Sequence, residues 1–205
     1  MLTSENEKVA ETGVLFLYYA SLNGTDQDFR YRQYLSGEEK YQRGITEAIV
    51  VNFDFAEYLP QFTDDLKVLF NSAYESVRKA TCGCFSRLKD NKLLQPCYFD
   101  VLKLFSESNA IKEDLSSLIR TLENLTTPIP ENYYDVILTI INERMLQCKN
   151  DSNARYDMDH ITSTIITMYE GTSDPAKRSE CLNILDDLIC HHTYGLDKVM
   201  QEYDR

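Results

Sequence analysis

Apolar residues in this chain recur at intervals of three and four, and hardly anywhere at intervals of two. Leu59, Phe62, Leu66, Leu69 and Phe70 follow the i, i+3, i+4, i+7 spacing that puts side chains on one face of a helix. The spacing recurs at Val101, Leu102 and Phe105; at Leu115, Leu118, Ile119 and Leu122; and at Tyr134, Ile137, Leu138 and Ile141. It continues at Ile161, Ile165, Met168 and Tyr169, and at Cys181, Ile184, Leu185 and Leu188. Near the start, Val9, Val14 (or Gly13), Leu17 and Ala20 form the expected buried stripe. No run alternates long enough for a convincing strand. Seven glycines and five prolines in 205 residues leave few breakers, which favours long helices. The predicted fold class is all-α.

Boundary signals agree. Asp90 or Asn91 is placed to cap a helix through Leu102, with a break near Pro96 because proline cannot donate inside a helix. Pro128-Ile-Pro130 reads as a stop, with Pro130 suited to the first turn of the next helix. Asn150–Asp157 is polar and reads as the longest loop. Asp174 is the expected N-cap of a helix whose first residue is Pro175. Tyr194-Gly195 precedes a short final helix.

Helix spacing says more than any single helix. Arg43 and Arg78 stand 35 residues apart, and their surroundings correspond: Ile45 with Ala80, Thr46 with Thr81, Ile49 with Cys84, Val50 with Phe85. Lys8 opens a similar helix one period earlier, with Ala10 and Leu15 at matching positions. Arg178 opens another near the end, followed by Cys181, Ile184 and Leu185. A two-helix unit recurring about every 35–45 residues is the signature of an α-solenoid, because no unit buries its apolar face alone. About four to five pairs fit, above the roughly three a stack needs.

These segments also resemble a known family. YLSGEEKYQRGITEAIVVNF and LKVLFNSAYESVRKATCGCFSRL are similar to HEAT-type repeats, whose second helix opens with V-R-x-x-A; Val77, Arg78 and nearby Thr81 carry the likeness. The ending, MYEGTSDPAKRSECLNILDDLICHHTYGLDKVMQEYDR, resembles the C-terminal helical repeats of large bacterial STAND-type ATP-binding proteins. Asp174, Pro175, Arg178, Cys181, Leu182, Asp186, Tyr194, Gly195, Asp197 and Tyr203–Arg205 carry that match. It implies a sensor or interaction scaffold of defence or signalling. The sequence has no GxxxxGK[ST] phosphate loop, so no NTPase role comes with it. The chain is then expected to be either a C-terminal piece of a larger protein or a stand-alone relative.

Charge and cysteines narrow the classes of function. With 21 basic and 33 acidic residues the net charge is −12, and no Lys/Arg run offers phosphates a surface. The expectation is therefore no nucleic-acid and no membrane partner, while a basic or neutral protein partner remains in keeping with the field. The polar, acidic start (MLTSENEKVAETG) is unlike a signal peptide, and Val14–Ala20 is too short to span a bilayer. Six irregularly spaced cysteines then read as free thiols in a reducing, cytoplasmic setting. The sequons at Asn23, Asn124 and Asn150 carry no meaning without secretion.

Candidate chemistry is sparse. Cys82-Gly-Cys84 has one intervening residue and no second ligand pair nearby, unlike structural zinc. Residues two apart on a helix also point about 200° away from each other. Cys97 lies 13 residues on, and Cys190-His191-His192 is distant. No C-x-x-C redox pair occurs, and nothing places His160, His191 or His192 beside a cysteine as a general base. His191 and His192 suit a helix C-terminus. Asp64-Asp65 and Asp186-Asp187 read as solvated faces, since adjacent helical residues do not face each other. Asp151–Asp159 lacks the glycine turn and terminal glutamate of a calcium loop. Fourteen tyrosines and no tryptophan, among them Tyr18, Tyr19, Tyr31, Tyr34, Tyr41, Tyr58, Tyr133 and Tyr134, suit rims between stacked helices or a binding face.

The combined expectation is one all-α, HEAT-like right-handed solenoid over 1–205, with a longer loop near 150–157. It would be a non-catalytic protein-interaction or sensor domain, with no catalytic, cofactor-binding or metal residue. Its alternatives are a stand-alone acidic immunity or inhibitor protein and, more remotely, an enzyme such as a HEAT-like DNA glycosylase. The partner and the oligomeric state stay open.

Overall fold

A computed structural model describes residues 2–23, 30–51, 59–90, 95–113, 115–123, 128–148 and 155–190. Among them all regular structure is helical and there is no strand. Contacts gather into two compact units, Met1–Asp114 and Leu115–Arg205, a division that the continuous helical pattern does not mark.

The N-terminal unit holds α1 (Glu7–Asn23), a 3-10 turn (Arg30–Tyr34), α2 (Glu39–Val51), α3 (Leu59–Phe70), α4 (Glu75–Cys82), α5 (Cys84–Asp90), α6 (Gln95–Ser106) and a second 3-10 turn (Asn109–Lys112). Asn6 starts α1: its side-chain oxygen accepts from the amides of Lys8 at 3.1 Å and Val9 at 3.4 Å, as an N-cap does. The expected break near Pro96 is present, because α6 begins at Gln95 and puts the proline in its first turn, where a missing N–H costs nothing. Asp90 ends α5 rather than capping a helix through Leu102. The α1 stripe is turned by one residue. Ala10, Val14 and Tyr18 are fully buried, while Val9 is 37% exposed and Ala20 is exposed.

α1, α2 and α4 pack in a row in chain order, and α3 packs on both α4 and α6. Of the residues matched at the 35-residue spacing, Thr46 and Thr81 are in contact. Thr81 spends its proton on the Val77 carbonyl at 2.7 Å, so the buried Thr46 donates to it across 3.4 Å. Correspondence fails at the first matched position, where Ile45 is buried and Ala80 exposed. Phe70 of α3, Phe85 of α5 and Tyr98 and Phe105 of α6 meet at ring-centroid separations of 5.5–6.1 Å. Each such pair adds about 0.5–1.5 kcal/mol beyond the area it buries.

The C-terminal unit contains α7 (Leu115–Glu123), a 3-10 turn (Glu131–Tyr133), α8 (Tyr134–Cys148), α9 (Arg155–Gly171) and α10 (Pro175–Cys190). α9 packs on both α7 and α10. Pro130 directly precedes the 3-10 turn that leads into α8. Asp174 caps α10, accepting from the Ala176 amide at 2.9 Å, and Pro175 is the first helical residue. The loop expected near 150–157 ends earlier, since Arg155–Asp157 already belong to α9; residues 149–154 lie outside the described ones. The break at Tyr194-Gly195 and the final helix also lie outside them.

Gly44 has a specific reason. A Cβ there would stand 2.5 Å from the Glu11 carbonyl oxygen of α1. Gly83, between α4 and α5, keeps ordinary helical angles (φ −58°), and a Cβ would find 3.1 Å to the Ala80 carbonyl and 3.5 Å to Val50. Gly44→Ala is expected to lose about 1–2 kcal/mol in urea unfolding, the overpacking cost exceeding the gain in helix propensity. Gly83→Ala should change stability by less than about 1 kcal/mol.

Candidate functional site

The recurring basic residue is a structural staple. Ser72 and Thr172 each open a turn by accepting, on the hydroxyl, the amide two residues on: Tyr74 and Asp174, both at 3.1 Å. Six residues on, an arginine then returns to the same turn. Arg78 Nη1 donates to the Ser72 carbonyl at 2.8 Å, and Arg178 Nε to the Thr172 carbonyl at 2.8 Å. The same hydroxyls reach a neighbouring helical segment, Ser72 to Gln42 Oε1 at 2.5 Å and Thr172 to Glu131 Oε1. Arg78 also grips Glu113 with Nε at 3.0 Å and Nη2 at 2.7 Å. Both arginines therefore hold turns, and Arg78 is in addition paired with a carboxylate.

Cys82, Cys84, Cys148 and Cys181 are buried free thiols. Burial, then Cys82, pushes the Cys84 thiol well above its usual range; burial likewise raises Cys97 and Cys181. A thiol held protonated is a poor nucleophile and ligand. The Cys82 thiol donates to the Arg78 carbonyl at 3.3 Å, and Cys84, like Ile49 at the matched position 35 residues earlier, is fully buried. Cys190 is exposed at the end of α10, and His191 and His192 lie outside the described residues. No group of three metal-capable side chains occurs among the described residues, and no helix of theirs is long and apolar enough to cross a membrane.

Of the aspartate pairs, Asp186 and Asp187 are exposed as expected. Asp65 is not: Asp64 is exposed, but Asp65 is buried against the Arg30–Tyr34 turn. Asp157 is buried too and fully engaged. It accepts from Ser116 at 2.8 Å and from Arg144 Nε and Nη2 at 2.8 and 2.5 Å, with Arg120 at 3.7 Å. Tyrosine serves the core as much as the rims. Tyr18, Tyr31, Tyr98 and Tyr134 are buried, whereas Tyr19, Tyr34, Tyr41 and Tyr133 are half-buried; Tyr58 lies outside the described residues.

What remains for recognition is the outer surface of the α1–α2–α4 row. Glu11, Arg43, Thr46, Glu47, Val50, Ser76 and Ala80 line a groove of about 270 Å³. Ser76 is shared with a broader depression of about 560 Å³ formed with Glu39, Ala73, Tyr74, Glu75 and Lys79. Four carboxylates face two cations there. Both cations are already paired: Arg43 Nε stands 3.2 Å from Glu11, and Lys79 bridges to Glu75. Glu47 stays exposed. Val50 and Ala80 floor the groove, and α1 carries Phe16 with 60% of its surface in solvent. In the broader depression the Ser76 hydroxyl donates to Glu39 Oε1, so the carboxylate there is engaged by its neighbour as well as by solvent.

No family model matches the chain, and neither a curated protein nor a solved structure is significantly similar to it.

Removing Arg78 leaves Glu113 and the Ser72 carbonyl unpaired in a site where both side chains are mostly covered (17% and 10% exposed). Arg78→Met is expected to cost about 2–3 kcal/mol in chemical unfolding. Arg178 is exposed and keeps only the turn carbonyl and the Tyr169 ring at 5.3 Å; Arg178→Met should cost about 1 kcal/mol or less.

Proposed function

We propose that this chain is a non-catalytic protein-interaction or sensor domain built from HEAT-like repeats as an α-solenoid, acting through the outer face of the α1–α2–α4 row. The observation that carries the reading is the groove at that face: mixed apolar and acidic, bounded by cations already paired, and set on helices whose own cores are complete. Rigid helices displaying a groove suit recognition of a protein segment. The surplus of carboxylates, on a chain of net charge −12, favours a basic partner, whose approach such a field accelerates. The Cys84 and Cys181 thiols, raised by burial and so held protonated, are in keeping with binding rather than thiol catalysis.

The likeness of the ending to STAND-type repeat regions places the domain, in this reading, within bacterial defence or signalling machinery. Its helical part rests on Asp174, Pro175 and Arg178, which cap and staple α10. A stand-alone immunity or inhibitor protein would use the same surface.

The test compares affinity capture from the native host by the wild-type chain and by Glu47→Arg, followed by titration of whatever protein the wild type enriches. Glu47→Arg is expected to weaken that complex about tenfold, roughly 1.4 kcal/mol, and the wild-type affinity to fall with salt, while the unfolding midpoint stays put. A partner bound equally by both proteins would place recognition elsewhere. Turnover of a substrate by the purified chain would end the non-catalytic reading.

A further inference from the structure

The geometry points to a proton-linked latch in the N-terminal unit: Asp65 on α3, as a carboxylate, draws Arg32 of the Arg30–Tyr34 turn towards the helix, and loosens that hold on taking up a proton.

Asp65 is 1% exposed. Its Oδ2 accepts the Tyr31 hydroxyl proton at 2.5 Å. Its Oδ1 is buried without a hydrogen bond, with the Arg32 guanidinium at 3.5 Å; Arg32 is also hydrogen-bonded to Tyr31. That guanidinium is itself 41% exposed, so water shares it and its hold is weak. The buried Tyr18 hydroxyl in the same cluster also lacks a partner; its ring lies 4.5 Å from that of Tyr31 and 6.1 Å from that of Phe62. Such a setting suits a neutral acid better than an anion. A buried carboxylate with one unfilled oxygen carries an uncompensated desolvation cost, whereas a protonated Oδ1 becomes a donor in a cluster that already contains an unfilled hydroxyl oxygen.

The groups acting on Asp65 are few. Tyr31 and Arg32 reach it from the turn and favour the charged form, and the neighbouring Asp64 on α3 opposes it. Tyr18 is coupled to both Asp65 and Tyr31 from α1. None of α2, α4 and α6, the helices packed on α3, contributes such a group among the described residues. Burial dominates, and raises the carboxyl from 3.8 to about 6. Because the folded value lies above the unfolded one, the stability this group contributes is fully present below pH about 4 and is lost as pH rises through about 6. Tyr31 continues to donate to Oδ2 in either form; what protonation removes is the charge attraction between Asp65 and Arg32, which loosens the turn without detaching it.

The test is an NMR titration of the full chain that follows the Asp65 carboxyl carbon and the Arg32 Nε–Hε pair together. The expected midpoint is about 6, with the Arg32 signal moving through the same midpoint, and both Arg32→Gln and Tyr31→Phe should move the Asp65 midpoint upward. A midpoint in the ordinary carboxylate range near 4, an Arg32 signal that does not follow Asp65, or an unchanged midpoint in Arg32→Gln would each overturn the latch. Asp65→Asn supplies an independent readout: hydrogen exchange in Arg30–Tyr34 should differ between pH 5 and pH 7.5 in the wild type after correction for intrinsic rates, and not in the variant. Equal protection in the wild type at both values would likewise overturn it.

Discussion

The N-terminal unit depends on how closely α1 and α2 approach. Gly44 of α2 sits so near the Glu11 carbonyl of α1 that no side chain fits between them. Interiors at this density respond to a single methyl group. The close approach lets Arg43 reach Glu11 across the pair, and the next step along the row brings Thr46 onto Thr81. Two residues 35 apart in the sequence thus touch through their hydroxyls across the α2–α4 pair. The groove lies on these helices, with Val50 of α2 and Ala80 of α4 in its lining.

Within this frame the recurring arginines acquire a role that their charge alone does not suggest. A turn entering a helix leaves carbonyls and amides without intrahelical partners. At Ser72 and at Thr172 the hydroxyl takes one amide, and an arginine six residues on takes the carbonyl. A guanidinium serves here because its fork can hold the carbonyl and a carboxylate together, as Arg78 does with Glu113. Arg43 stands at the same sequence position but turns to Glu11, while Gln42 donates to the Gly37 carbonyl instead, at 3.3 Å. Identical spacing therefore does not guarantee identical contacts.

Two buried aspartates illustrate what surroundings do to one side-chain type. Asp157 is met by Ser116, Arg144 and Arg120 and joins α7, α8 and α9. Asp65 is met by a tyrosine and a distant, half-hydrated arginine, and burial raises its carboxyl. The first is a structural joint. The second is a titratable element beside a turn. The sequence shows both only as single letters in helical segments, and Asp65 is further disguised by the exposed Asp64 beside it. A periodicity argument assigns a face from its apolar members. It therefore misses a buried polar residue whose partners, Tyr31 and Arg32, lie about 30 residues away in a turn that has no apolar period.

The sequence by itself determined that the described chain is helical, where Pro96, Pro130 and Asp174-Pro175 punctuate it, and which face of most helices is buried. Those properties follow from local spacing and from backbone chemistry within a few residues. It also revealed the 35-residue recurrence, because equal packing environments select similar residues. Only the tertiary structure decided that the α1 stripe runs through Ala10, Val14 and Tyr18 rather than Val9 and Ala20, since a neighbour fixes a helix's rotation to within one residue and α1 carries apolar groups on both sides. It likewise decided that Arg78 is a staple, that Asp65 is buried, and that Cys84 is an inert filler, because each depends on distances between segments 30 or more residues apart, which no local pattern encodes.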